Sequence, residues 1–408
     1  MKILFLNKYF YVKGGSETYF FKLRNELMSR GHKIIDFSMK DEKNLYSPWE
    51  KYFVDNVDYS NNSKKVKNAI KLIYSKEAYN KLCKLIEIEK PDVAHINLVY
   101  HQLSLSVIHA LKKYNIPIVY VSHDYKIICP NYKTYSNGIC NKCYNGKFYN
   151  CIKERCHKNS LFNSTLVTVE AYMNKIIKSY KAIDTIICPS YFVENELIKA
   201  GIEKSKIKTM QNFLTIDIKD IDVKVNKEKQ VLYYGRLSEE KGIIQFLKSV
   251  KYIHPDISVK IIGTGPQEEE ILKYIRDNNL LNVRLMGFKS GKSLYEEIAR
   301  SRCTIIPSVW NETFGLTVIE SMALGTPVLG SCLGGIKENI VDGINGYCFD
   351  PTNIEEISTS INKIFNLDDT SYREMSNNCV KHAGKFSLVE YCDNLMEIYT
   401  KLVNDKKE

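Results

Sequence analysis

The segment Ile305–Val328, IIPSVWNETFGLTVIESMALGTPV, reads as a short apolar strand, a polar loop, a Phe-Gly turn and a helix closed by Gly325 and Pro327. Seven residues separate Glu312, in the loop ahead of the helix, from Glu320 on the helix itself. The helix opens near Gly315, where backbone N–H groups without intrahelical partners favour an anion. Carboxylates accept hydrogen bonds from hydroxyls, so the loop and the helix end together suit a ligand carrying both sugar hydroxyls and phosphate. An ordinary amphipathic helix with two solvated glutamates has the same spacing, and the flanking sequence has to decide between the two.

Upstream, YYGRLSEEKGI (Tyr233–Ile243) follows an apolar strand with a turn and supplies Gly235, Arg236, Lys241 and Gly242. Ligands of open α/β sheets sit at the carboxyl ends of the strands, so Arg236 and Lys241 are placed to hold a diphosphate. A surface basic pair beside Glu239 and Glu240 is the plainer reading. Taken together, the two segments resemble the G-R-L-x-x-x-K-G and E-x7-E signatures of the retaining glycosyltransferases of family 4. Glu312, Phe314, Gly315, Glu320, Gly325, Pro327 and Val328 fall where that pattern places them.

The resemblance implies an α/β chain of GT-B architecture: two Rossmann-like domains facing a central cleft, with a C-terminal helix crossing back to the N-terminal domain. It implies that Glu320 binds the donor's ribose and that Glu312 meets the donor sugar near the reacting carbon. Phe314, Gly315 and Leu316 would line the donor site, and Arg236 and Lys241 would stabilise the leaving diphosphate without a catalytic metal. It further implies retention of anomeric configuration by same-face attack, the departing phosphate taking the acceptor's proton.

A chain of 408 residues suits two domains of ordinary size. With 44% hydrophobic and 26% charged residues it has a globular composition, and no apolar run reaches transmembrane length. The opening MKILFLNKYF reads as a buried first strand and not as a signal peptide, which predicts a cytoplasmic protein. The net charge of +11 is uneven. Residues 1–212 hold 34 Lys+Arg against 19 Asp+Glu, or +15, and residues 213–408 hold 24 against 28, or −4. The segment Lys64–Ile86 concentrates positive charge on a predicted amphipathic helix, a form drawn to anionic lipid, although a solvated Lys-rich face looks the same.

Alternating strands and helices predict parallel sheets. The expected organisation is an acceptor-side domain at 1–212 with a Cys-rich insert at 129–157, a linker at 213–229, a nucleotide-sugar domain at 230–385, and a helix at 386–408. Expected strands lie at 3–7, Val93–Ile96, Ile118–Val121 and Thr185–Cys188, then Val231–Tyr234, Val259–Ile262, Val283–Met286, Thr304–Pro307 and Pro327–Gly330. Helices are expected near 64–90, 102–114, 164–181 and 191–200. A first helix would be capped by Ser16 and ended by Gly31. Leu388, Cys392, Leu395, Tyr399 and Leu402 give the last helix one apolar stripe.

Gly14 and Gly15 follow the first strand and allow backbone to approach a ligand at a helix start, in line with the family's glycine-rich first loop. His123, in SHDY, stands at the carboxyl end of an apolar strand, and the resemblance places it near the donor sugar; Asp124 either orients it or caps the next turn. Gly263 and Gly265, in IIGTGP, copy part of a dinucleotide fingerprint, but Glu268 occupies the third glycine position, so they are read as a loop near the donor. Asp220-Ile221-Asp222 mimics a metal-binding D-x-D but sits in the expected linker and is read as solvated charge.

Five of twelve cysteines, Cys129, Cys140, Cys143, Cys151 and Cys156, fall within 28 positions. In a reducing compartment this pattern suits structural Zn²⁺ on Cys140, Cys143, Cys151 and Cys156, with Cys129 or His157 as a substitute. Free thiols or disulfides are the alternatives.

The leading expectation is a glycosyltransferase moving a sugar, from UDP by default, to a lipid-linked or surface-polysaccharide hydroxyl, with peripheral contact at the inner membrane face. The alternatives are a nucleotide-sugar epimerase of the same architecture, or a zinc-stabilised nucleic-acid-binding protein. No nucleic-acid-binding motif supports the last.

Overall fold

The structure, a computed structural model, describes residues 1–56, 65–218, 221 and 225–406. Lys64, Asp220 and Asp222 lie outside the described residues. The chain divides into two units. The first contains residues 1–136, 140–213 and 388–408; the second contains 214–387 together with 137–139.

In the first unit, six parallel strands run β1 (Lys2–Leu6), β2 (Lys33–Phe37), β3 (Val93–Ile96), β4 (Ile118–Val121), β5 (Thr185–Cys188) and β6 (Ile207–Thr209) in sequence. Their spatial order is 2-1-3-4-5-6. In the second, β7 (Glu228–Tyr234), β8 (Ser258–Ile262), β9 (Val283–Leu285), β10 (Ser301–Ile306), β11 (Val328–Ser331) and β12 (Gly346–Phe349) take the order 12-11-10-7-8-9. Every pairing is parallel. Helices therefore cover both faces, and central strands such as β3 (VAHI) and β4 (IVYV) are buried along their whole length.

The strand order reverses between β1 and β3 in the first unit and between β7 and β10 in the second. At such a reversal the connections leave in opposite directions, opening a crevice at the strands' carboxyl ends. The loops after β7 and β10 are the two signature segments of the sequence.

Three strands escape the sequence reading. β2 (KIIDF) carries Asp36, fully buried because Arg24 grips both its oxygens at 2.7 and 2.8 Å and Ser47 donates at 3.0 Å. β6 and β12 are edge strands of three and four residues. The expected helix at 64–90 is two helices, Lys65–Ile73 and Lys76–Glu89, split at Ser75, whose hydroxyl accepts the Ala78 N–H at 3.1 Å. Ser16 does not cap the first helix: Gly14 holds that position and the helix runs Gly15–Ser29.

The final helix, Leu388–Asp405, belongs to the first unit, where Tyr391, Cys392, Leu395 and Tyr399 join the core. The Tyr391 hydroxyl meets that of Tyr19 at 2.7 Å, and the Tyr399 hydroxyl meets His95 Nδ1 at 2.6 Å. Arg30 grips Asp393 at 2.6 Å and the Val389 carbonyl at 3.0 Å. Leu395→Ala should destabilise the first unit by about 2–5 kcal/mol, the range for a fully buried leucine. Hydrogen exchange resolved by segment checks this: amides of β1 and β3 should lose protection while those of β7 and β10 keep theirs.

Candidate functional site

In the second unit, β10 delivers the chain to Pro307, and the loop that follows is pinned at Glu312. Glu312 Oε1 accepts from Lys241 Nζ at 2.5 Å and from the Ser308 hydroxyl at 2.8 Å, and its carbonyl accepts the Gly335 N–H at 2.8 Å. Lys241 also lies 5.6 Å from the Trp310 ring centroid, within cation–π range. The loops after β7 and β10 thus meet through one ion pair at the strand-order reversal. Both partners keep solvent access, 25% for Lys241 and 13% for Glu312, so a ligand can compete for either.

Gly242 is required here by contact as well as by conformation. Its φ is +68°, and a Cβ would stand 1.9 Å from the Pro307 carbonyl oxygen. Gly263 makes the same kind of close approach beneath Gly235, where a Cβ would lie 1.8 Å from the Gly235 oxygen, and Gly265 lies against Leu237. The loop after β8 thereby supports the loop that carries Arg236. Arg236 is exposed, and no ion pair of its side chain is present among the described residues.

Gly315 caps the helix Leu316–Ala323 in the left-handed region. Glu320, on that helix, is surrounded by protein yet retains partial exposure. Its Oε1 accepts from the Thr215 hydroxyl at 2.7 Å, and burial raises its carboxyl above the usual range, with Thr215 opposing. The Phe314 ring is committed to the interior against Phe386, with centroids 5.6 Å apart, so only its backbone is available to a ligand; Leu316 packs beside it.

In the first unit, Gly14 and Gly15 start the helix whose Tyr19 ring packs edge-on against His123 at 4.7 Å. Tyr19, in the second turn of that helix, and His123, distant in sequence, are thus neighbours. Burial lowers His123 to about 3, so the imidazole is neutral at ordinary pH. Asp124 caps the next turn, taking the Lys126 N–H at 2.9 Å, and accepts the Tyr100 hydroxyl.

Around these groups lies a buried charged cluster that the sequence reading passed over. Lys8 follows β1 and lies 3.9 Å over the Tyr100 ring; burial lowers it to about 8, against Asp124 and Glu17. Lys126 pairs with Glu170 at 2.7 Å, both almost inaccessible. Glu170 interrupts the apolar run TLVTVEAYM, which is the one signal that could have found it. Ser308, Thr215 and Gly335 complete the second unit's array without any spacing signature. The five cysteines of the insert line one cavity in the first unit, and His157 lines a different one.

Buried imidazoles make the fold acid-sensitive. His95 and His123 are lowered to about 3 and His157 to about 4, in each case chiefly by burial. Below the ordinary value of about 6.5 the unfolded chain takes up protons that the folded chain refuses, so their contribution falls as pH drops from 6.5 towards 4. The raised carboxyls of Glu17, Asp124, Glu170 and Glu320 act in the opposite sense, because the folded chain holds their protons longer. A single-site comparison separates the two: between pH 6.5 and 4 the melting temperature should fall more steeply for the native chain than for His95→Gln. Equal slopes would exclude His95 as a contributor.

Comparison with known proteins agrees with this arrangement. Residues 13–217 match the family described as Glycosyltransferase Family 4, and residues 216–385 match Glycosyl transferases group 1. A 42.6 kDa protein in the cps region of Klebsiella pneumoniae is 26% identical over 90% of this chain and 97% of its own length. Alpha-D-kanosaminyltransferase of Streptomyces kanamyceticus is 28% identical over 42% of this chain and 45% of its own. Among solved structures, Anabaena HepE in complex with UDP-glucose superposes with a TM-score of 0.70 at 17% identity, covering 98% of this chain and all of that one. Sucrose-phosphate synthase from Thermosynechococcus elongatus gives 0.73 at 16% identity, covering 99% of each chain. Those likenesses establish the fold as two Rossmann-like domains of GT-B type.

Proposed function

The chain belongs to glycosyltransferase family 4, and from that premise we propose that it transfers a sugar, with retention of configuration, from a UDP-sugar to a hydroxyl of a lipid-linked or polysaccharide acceptor. Transfer of sugar from a nucleotide-diphosphate donor is the activity of the fold and family. The finer reading rests on one observation: Lys241, Glu312 and Ser308 converge at the β7/β10 reversal, beside the helix that carries Glu320.

A donor enters there with its diphosphate against Arg236 and Lys241, its ribose on Glu320 and its sugar hydroxyls on Glu312. In the transfer step the bond from the anomeric carbon to the diphosphate oxygen breaks, and the acceptor oxygen bonds to the same face. The acceptor proton passes to the departing phosphate. Negative charge grows on that phosphate, and a preorganised arginine and lysine stabilise it more in the transition state than in the bound donor. These groups supply the charge stabilisation from side chains, so the reaction as proposed needs no divalent ion. UDP is favoured as carrier because HepE, of the same fold, binds UDP-glucose.

The acceptor reading draws on the relative from a cps region and on one helix of the first unit. Leu161–Ile176 turns Phe162, Val169, Met173 and Ile176 to solvent, 59%, 42%, 39% and 70% exposed, at positions that share one face. A helix that presents an apolar stripe outward needs a cover. The exposed Lys158, Lys175, Lys178 and Lys181 stand along it, in a region carrying +15. An anionic bilayer surface supplies both the apolar contact and the counter-charge. Among the described residues no helix is long and apolar enough to cross a membrane; the contact proposed is peripheral.

Thermal shift against UDP-, GDP-, ADP- and TDP-sugars should give stabilisation by one nucleotide family, abolished by Glu320→Ala. Arg236→Ala should lower turnover by roughly 10²–10³-fold, as for loss of one charge-stabilising donor; near-normal turnover would remove Arg236 from the mechanism. Vesicles containing anionic lipid should sediment the protein, and neutral vesicles should not. The Met173→Glu/Ile176→Glu variant should stay in the supernatant with its UDP-sugar shift intact. Equal sedimentation of both proteins would discard the membrane contact.

A further inference from the structure

The segment from Cys129 to Cys156 has little regular structure. Its regular structure amounts to a three-residue 3-10 turn at Tyr144–Gly146 and a four-residue helix at Asn150–Lys153. Of thirteen non-glycine residues with positive φ among the described residues, seven fall between 132 and 159: Tyr132, Thr134, Asn137, Asn145, Arg155, Lys158 and Asn159. Left-handed backbone at non-glycine residues is costly and persists only where the surroundings over-determine it. The apolar cluster here comprises only Cys143, Phe148, Cys151 and Val167, with Cys156, Ala171 and Tyr172 at its margin.

What the segment does have is sulfur. Cys129, Cys140, Cys143, Cys151 and Cys156 line a single cavity. Cys129, Cys143 and Cys151 are buried, while Cys140 and Cys156 are half-exposed. Five sulfurs facing one cavity present the soft donor set that zinc takes from cysteine.

We propose that this cavity is a closed structural Zn²⁺ site whose four ligands are the sulfurs of Cys129, Cys140, Cys143 and Cys151, with Cys156 as an outer donor to Cys151. Four thiolates suit a tetrahedral zinc with no open position, and Cys140 and Cys143 supply a C-x-x-C chelate. The choice among five sulfurs follows from geometry. Two sulfurs on one tetrahedral zinc, each about 2.3 Å from the metal, stand about 3.8 Å apart. Cys156 Sγ stands 2.9 Å from Cys151 Sγ, closer than two sulfurs on one tetrahedral zinc. Outer donors of this kind orient and stabilise a ligand. His157 is occupied elsewhere: its Nδ1 meets Asn131 Oδ1 at 3.4 Å, and its ring packs against His101 and Tyr132. Cys129 therefore replaces Cys156 in the ligand set expected from spacing. Among the described residues no three His, Cys, Asp or Glu side chains are already arranged about one point, so the sulfurs close on the ion by side-chain rotation.

The ion would tie the chain just after His123 and Asp124 to the base of the helix Leu161–Ile176. Cys129 N–H bonds the Tyr125 carbonyl at 2.8 Å, and Cys151 lies against that helix in the small apolar cluster.

Elemental analysis of the purified full chain, combined with counting of free thiols under native and denaturing conditions, tests this. One zinc per chain is expected, with the four ligand thiols unreactive until the protein is denatured with chelator. Cys129→Ser, Cys140→Ser, Cys143→Ser or Cys151→Ser should abolish bound zinc, whereas Cys156→Ser should retain it with weaker affinity. Should the ligand variants fail to fold, the native chain still decides. A chelator should lower its melting temperature and equimolar Zn²⁺ should restore it. No metal with all thiols reactive, disulfides in place of thiols, or the visible absorption of an iron–sulfur cluster would each overturn the proposal. Zinc lost in Cys156→Ser but kept in Cys129→Ser would overturn the ligand assignment.

Discussion

Parallel strand pairing is the constraint on which the rest depends. A sheet whose strands all run one way must return every connection through a helix, so both faces are covered and the backbone at the carboxyl edge alone stays available. Reversal of strand order then decides which part of that edge is open. In the second unit the reversal lies between β7 and β10, and the two loops issuing there are joined by the Lys241–Glu312 ion pair. Polar side chains gather where the topology leaves room for them.

That ion pair also sets the electrostatics of the site. An isolated lysine beside an isolated glutamate would each be well solvated. Held together at a partly covered position, with Ser308 on the same carboxylate oxygen, they form a preorganised dipole that a ligand's phosphate and hydroxyls can divide between them. Glycines at 242 and 263 let backbone pass within contact distance of backbone, and so keep the loops close enough for that pairing. The first unit solves a different problem: it buries Lys8, Lys126 and Glu170 in one neighbourhood, where each charge depends on another.

The second unit was readable because its signal is local. Glu312, Gly315 and Glu320 sit on one strand–loop–helix passage, and Gly235 to Gly242 on another, so spacing along the chain maps directly onto spacing in the site. Ser308 and Thr215 were not readable, since a hydroxyl acquires meaning only from what the fold brings to it. In the first unit, His123 was legible from its strand, whereas its contact with Tyr19 joins residues over 100 positions apart and leaves no periodic trace. Strand β2 was obscured by Asp36, a charge at a core position that makes sense only once Arg24 is seen gripping it. The helix break at Ser75 was hidden because apolar periodicity continues across it, and only the cap reveals the interruption.

The final helix has a consequence for how the chain is made. Residues 388–408 complete a core begun at residue 1, with the whole of 214–387 in between. During synthesis, the earlier-emerging unit therefore waits for the later one: 174 intervening residues take roughly 9–35 s at ordinary elongation rates. Until then the surface that receives Leu395 and Tyr399 is bare, while the unit born second already has all its strands. The ribosome finishes the two in the reverse of the order in which it starts them.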